Sequence, residues 1–262
     1  MSKTLKALST QPWLILPERL TLMTEVIKRE NDVQALSTQL GKPLEKTKTV
    51  EIFGDVAVVP VVGAIYRYAN LFTEICGDTS TEMLARDLKS AAENPKVKTI
   101  ILNVDCPGGQ AAGIAELAQI IQDIKKPVIA YVEDLAASAG YWIASACDHI
   151  AVGKTAMVGS IGAVYVFNMK SDGVEKIEIV SSVSPKKRFD VSSEEGKNQV
   201  QVWADRLGEI FVEDVAAFRG VTTKKVLNDF GQGDLLIGND AKKAGMVDEV
   251  TTFEALMKSV KS

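Results

Sequence analysis

The chain has 262 residues, 46% of them hydrophobic and 24% charged, the balance of a globular protein long enough to bury a core without disulfides or metal staples. Thirty Lys and Arg against 34 Asp and Glu leave a net charge of −4, which argues against a nucleic-acid binder with a basic face. The single histidine, His149, excludes a multi-histidine metal site, and the widely spaced Cys76, Cys106 and Cys147 form neither a CxxC pair nor a disulfide framework, so a reducing compartment fits best.

At the N-terminus, Lys3 and Lys6 stand in a stretch with no continuous apolar core, and no run anywhere reaches about 18 uninterrupted apolar residues. Neither a signal peptide nor a membrane span is expected. Behind Pro17, Leu20, Met23, Val26 and Ile27 recur at helical spacing, and residues 34–48 are polar. Residues 1–49 read as a loosely attached N-terminal arm, for partner binding or for packing, and residues 50–262 as the main domain.

Val56–Val62 is a β-branched run of buried-strand length. Thr79 and Glu82 have capping-box spacing and open a helix through Ala92, with Leu84 and Leu88 on one face and Asn94-Pro95 closing it. A second buried strand, Val97–Val104, leads through a turn at Cys106-Pro-Gly-Gly109 to a helix from Ala111 to Ile124, and Val128–Val132 is a third strand. This alternation implies an α/β fold with parallel pairing. Ala136–Ala146 reads as a tightly packed helix of small residues, His149–Val152 as a short strand and residues 171–198 as a polar, basic surface loop. Helices follow at Lys197–Phe218 and Thr222–Phe230, then a helix–strand–helix tail at Asp240–Ala244, Val247–Val250 and Phe253–Val260.

Two glycine-bearing elements follow strands, where parallel sheets place their sites. In Asp105–Gln110, the Gly108 and Gly109 amides are expected to face outward at a helix N-terminus and could hold an oxyanion; the alternative is a turn that needs glycine for its backbone angles. In the second element, Ser138 lies among Ala137, Ala139 and Gly140, small neighbours that let a peptide approach its hydroxyl, unless the serine serves only as an N-cap. A nucleophilic serine needs a base. His149 opens the next strand, about 15 Å away by helix length, so a lysine with a pKa lowered by burial is the other choice, and the basic loop offers Lys186 and Lys187 beside Pro185.

Val56–Val62, Asn103-Val-Asp-Cys-Pro-Gly-Gly109, Ala136-Ala-Ser-Ala-Gly-Tyr-Trp142 and Gly159-Ser-Ile-Gly-Ala163 together resemble the signal peptide peptidase A family of serine-lysine peptidases, which includes phage head-maturation peptidases of the protein C type. The resemblance covers roughly residues 50–250, and Gln11–Glu18 resembles the opening of phage and prophage members. It implies the Clp protease/crotonase fold of repeated ββα units, with residues 50–262 the peptidase domain. It also implies Ser138 as nucleophile, the Gly109 and Ala139 amides as oxyanion hole, and a lysine some fifty residues downstream as base. Lys187 stands forty-nine residues after Ser138, with Lys186 the fallback, and Ser160 is a candidate to orient the lysine. The family departs from this chain in often having serine where Cys106 stands and a glycine near its lysine; Cys106 is expected to be a small buried residue rather than a second nucleophile.

On this resemblance the chain is expected to be a serine endopeptidase acting on protein segments, such as capsid or scaffold proteins or signal peptides. A homo-oligomeric ring in the cytoplasm of a bacterial or phage-infected cell is expected, the serine and lysine coming either from one subunit or from neighbouring ones, and no metal or organic cofactor is implied. Two other readings remain: a crotonase-type acyl-CoA enzyme, for which only Asp105 and Glu133 could supply carboxylates, and a non-catalytic assembly protein that keeps the fold.

Overall fold

The computed structural model describes residues 12–19, 21, 49–69, 73, 77–167 and 190–261. In chain order the first elements are β1 (Trp13–Ile15), β2 (Glu51–Phe53), β3 (Val56–Val62), β4 (Ile65–Tyr66), β5 (Thr79–Ser80), α1 (Thr81–Glu93), β6 (Thr99–Cys106), β7 (Gly108–Gln110), α2 (Ile114–Asp123) and β8 (Val128–Ala137). Then come α3 (Ala139–Ser145), β9 (His149–Val152), β10 (Met157–Gly159), α4 (Glu194–Phe218), α5 (Thr223–Asp229), β11 (Leu235–Ile237), α6 (Gly238–Ala244), β12 (Glu249–Val250) and α7 (Phe253–Val260).

The main sheet runs β11-β10-β8-β6-β3-β2, parallel from β10 to β3 and antiparallel at both edges. Beside the first half of β8 lies β9, followed outward by β12, while the last three residues of β8 pair with β10. The long strands are rich in Val and Ile because both faces are covered. Ala57, Val59 and Val61 of β3 face the main core with Leu84 and Leu88 of α1, and Val56 and Val58 face Leu256 and Met257 of α7.

Several boundaries differ from the sequence reading, each for a local reason. The cap of α1 is Ser80, whose hydroxyl accepts the Met83 N–H at 3.2 Å. Thr79 is instead taken by the strand, its hydroxyl donating to the Val62 carbonyl at 2.8 Å and accepting the Val62 N–H at 3.0 Å. β8 runs five residues past Val132, because Glu133 and Asp134 bulge into solvent where the β6 pairing shifts register between Val104 and Cys106, and Leu135–Ala137 then rejoin the sheet buried.

A second, smaller sheet runs β1-β7-β4-β5. Trp13, Leu14 and Ile15 in it are buried, so this part of residues 1–49 is woven into the domain and not loosely attached. Leu20, Met23, Val26 and Ile27, on which the helical reading rests, and Cys76 lie outside the described residues, and the loop reading of 171–198 does so through residue 189; residues 194–198 open α4. No helix among the described residues is long and apolar enough to cross a membrane.

The turn between β3 and β4 depends on Asp78, whose carboxylate accepts the Ala64 N–H at 3.2 Å and fills the space a side chain at Gly63 would need. Burial pushes the Asp78 pKa up to about 6, against the pull of the Ala64 amide and Tyr66. The native chain therefore keeps this proton up to about pH 6 while the unfolded chain loses it near 3.8, so stability falls as pH rises through that window. Replacing Asp78 with Asn is expected to stabilise the protein by about 1–2 kcal/mol at neutral pH and to flatten the fall in melting temperature between about pH 4 and 6. Thermal melts across pH check this, and parallel curves for the two proteins would contradict it.

Candidate active site

β8 delivers Ser138 to the carboxyl end of the parallel strands. Ala137 pairs with Gly159, and the Ser138 N–H then donates to the Gly159 carbonyl at 2.7 Å. Held there, the chain must leave the strand for α3 within one residue, and Ser138 does so at φ 53° and ψ −118°. L residues rarely adopt that conformation, and it costs on the order of 1–3 kcal/mol. The small-residue run read as one helix is thus split, strand through Ala137 and helix from Ala139. Ser138 stands at the N-cap position without a capping hydrogen bond, and its Oγ lies 3.5 Å from the Gly162 carbonyl, the long limit of an interaction. The hydroxyl is therefore not spent on the helix, which removes the N-cap alternative.

All seven residues of α3 are buried, which fixes the serine. The Trp142 ring stacks on Phe211 of α4 with centroids 4.4 Å apart, and its Nε1–H donates to Asp214 at 3.1 Å. Burial, opposed by this Trp142 bond, raises the Asp214 pKa. Tyr141 donates to the Met246 carbonyl at 2.9 Å, and Gly140 lies so close to Cys106 that a side chain there would meet its Cβ at 2.9 Å. The Ala139 N–H, in the first turn of α3, has no carbonyl in its own helix to bond.

The glycine element differs from the expectation. Gly108–Gln110 is a strand rather than a turn facing outward at a helix N-terminus, and α2 begins only at Ile114, behind Gly113 at φ 87°. The two glycines let neighbouring backbones close in: a side chain on Gly108 would strike Leu14 and Ile15 of β1, and one on Gly109 would strike Ile65 of β4. The Gly108 N–H bonds the Cys106 sulfur at 3.3 Å, while Gly109 lies opposite Leu14. Because Cys106 pairs with Ala136, this element and the Ser138 turn come to the same end of the sheet. Burial pushes the Cys106 thiol up to about 12, so it stays protonated and inert beside the serine.

Other sequence candidates fall elsewhere. His149 starts β9 opposite Ile129, on the order of 20 Å from Ser138 by the intervening helix and strand, with Asp248 and Glu249 beside it at 3.8 and 3.5 Å. Asp105 and Glu133 line a separate polar cleft with Asn103, Asp134 and Thr155. Ser160 follows Gly159 at φ 52°, its N–H donating to the Asp234 carbonyl at 2.9 Å. Lys186 and Lys187 lie outside the described residues. Two features of this region were not anticipated from the sequence. One is a groove of about 540 Å³ that runs from Gly162 and Ala163 along α4 past Ala204 and Gly208 to Leu227. The other is β1, whose only sequence signal was an apolar Trp-Leu-Ile between Pro12 and Pro17.

A family model described as peptidase family S49 matches residues 120–262, and one described as Clp protease matches residues 58–158. The chain is 29% identical over 265 residues to Protease 4 of Haemophilus influenzae, covering 91% of this chain and 42% of that one. It is 28% identical over 214 residues to Capsid assembly protease C of Escherichia phage lambda, covering 78% of this chain and 48% of that one. It thus spans less than half the length of both relatives. Among solved structures, an enoyl-CoA hydratase/isomerase family member is similar at a TM-score of 0.48 and 16% identity, over 80% of this chain and 72% of that one.

The backbone at Ser138 can be tested apart from any chemistry. Ser138→Gly relieves a positive φ that Ser138→Ala retains, so the glycine variant is expected to be about 1 kcal/mol more stable than the alanine variant despite its freer unfolded chain. Denaturant unfolding of the two variants measures the difference, and an alanine variant more stable than the glycine one would contradict the strain.

Proposed function

The chain belongs to peptidase family S49, and on that footing we propose that it is a serine endopeptidase in which Ser138 attacks peptide carbonyls and Lys187 is the base. The observation that carries the reading is the Ser138 turn, a hydroxyl excused from capping and held in a strained backbone at the carboxyl end of a parallel strand. A serine placed there for packing alone would have no need of that backbone.

In the proposed cycle, neutral Lys187 takes the proton from the Ser138 hydroxyl as Oγ attacks the peptide carbonyl, and the Ala139 and Gly109 amides hold the oxyanion. The lysine then gives its proton to the departing amine, and water, activated by the same amine, releases the acyl group and restores the serine. Lys186 is the fallback for this role. Neutrality at working pH requires burial to lower the lysine pKa. The groove from Gly162 to Leu227 would take a substrate side chain next to the scissile bond.

The proposed substrates are protein segments, such as capsid or scaffold proteins, in the cytoplasm of a bacterial or phage-infected cell. A homo-oligomeric ring is part of the proposal, supported by Val202 and Trp203, which α4 leaves 65% and 40% exposed. Specific activity should then fall on dilution, and a constant value through dissociation would refute a site shared between subunits.

With an unfolded protein as substrate and products read by mass spectrometry, Ser138→Ala is expected to lose about 10³-fold or more in rate while its fold survives. Lys187→Ala should do the same, and Lys186→Ala should not. Turnover by Ser138→Ala at the parent rate would overturn the reading.

A further inference from the structure

We propose that β1 is an internal occupant of this site's peptide-binding edge, an extended segment of the chain itself that must leave before a substrate can enter. This deepens the peptidase reading and rests on it. β1 lies between two backbones that both border Ser138. On one side it is antiparallel to β7, with Trp13 opposite Gln110, Leu14 opposite Gly109 and Ile15 opposite Gly108. On the other, the Trp13 N–H donates to the Val164 carbonyl at 3.0 Å and the Val164 N–H returns to the Trp13 carbonyl at 2.9 Å. Val164 is two residues beyond Gly162, whose carbonyl is the Ser138 hydroxyl's neighbour. β1 thus bonds Val164 on one side through Trp13 and β7 on the other, the way an extended peptide adds to a sheet edge.

The register decides what the occupant blocks. Leu16 N–H bonds the Pro107 carbonyl at 3.0 Å and Ala111 N–H bonds the Pro12 carbonyl at 3.3 Å, so both are hydrogen-bonded pairs of the antiparallel ladder. Bonded pairs alternate, which makes Leu14 and Gly109 the bonded pair between them and aims the Gly109 N–H at the Leu14 carbonyl. That amide is the donor assigned to the oxyanion. A donor already paired cannot receive a developing charge, so the site as it stands is filled by a peptide carbonyl of its own chain. Ser138 itself is buried, 1% exposed.

The occupant also shows what the edge accepts. Trp13 is buried edge-on to Tyr66, with ring centroids 6.3 Å apart, and Leu14 is buried in the main core. A substrate that replaces β1 runs antiparallel to β7 and offers large apolar side chains at the two successive positions.

The test is a lock. Cysteines at Pro12→Cys and Ala111→Cys would stand about 5.5 Å apart across the ladder, within disulfide reach. With the bridge confirmed by peptide mass, the oxidised chain is expected to cleave an unfolded protein about tenfold or more slowly than the same chain after reduction, while the parent is indifferent to reductant. Hydrogen exchange gives a second readout independent of turnover: the Gly109 and Val164 amides should exchange about tenfold faster in the reduced chain than in the locked one. Equal cleavage by locked and reduced chains would overturn the proposal, since β1 would then be a permanent strand. Failure of the peptidase reading looks different. Ser138→Ala would cleave as fast as its parent, or neither redox state would cleave, and the exchange comparison alone then decides whether β1 leaves.

Discussion

The site depends on a single hydrogen bond, from the Ser138 N–H to the Gly159 carbonyl, that continues the β8–β10 ladder one residue past the last strand pair. It ties the serine's amide to a neighbouring strand while the chain behind it already belongs to a helix, and only a positive φ reconciles the two. The strain persists because its surroundings leave no alternative. α3 is buried along its whole length, stacked on Phe211 through Trp142 and bonded to Met246 through Tyr141, so relaxing the turn would uncover a helix. Gly159 serves the same junction from its own side, since a side chain there would strike the Asp234 carbonyl.

The opposite end of the sheet has a separate polar anchor. Arg219, at the end of α4, grips Asp248 with two hydrogen bonds of 2.6 and 3.1 Å, and the same carboxylate accepts the Ile150 N–H at 2.8 Å. Burial would raise the Asp248 pKa, but these bonds and the Arg219 charge hold it below its ordinary value. His149 joins this acidic group, far from the Ser138 turn. α4 thus spans from the groove beside Gly162 to this clamp, and both ends of the sheet are braced by one helix.

Much of this was legible in the residues. The Val- and Ile-rich runs at Val56 and Val97, the apolar face of Leu84 and Leu88, and the final helix at Phe253 have single periods that no tertiary contact overrides. Ser138 stood out by its small neighbours. What stayed hidden was pairing that spans long sequence distances. Glu133 and Asp134 looked like the end of a strand, because polarity cannot distinguish a bulge from a terminus. Gly108 and Gly109 looked like a turn, because glycine that admits neighbouring strands reads the same as glycine that bends the chain. Trp13-Leu-Ile15 is too short to announce a strand before its partners are known.

Those partners have a consequence for biosynthesis. In a chain made from its N-terminus, β1 leaves the ribosome before either neighbour exists, and on the order of 100 to 150 further residues must follow before Gln110 and Val164 can receive it, a wait of roughly ten seconds or more at ordinary rates of synthesis. Through that interval an apolar Trp-Leu-Ile stretch has no sheet to join. β1 is therefore translated before both of its partners yet can find its place only after them, and the nascent molecule assembles around an edge that an earlier segment fills.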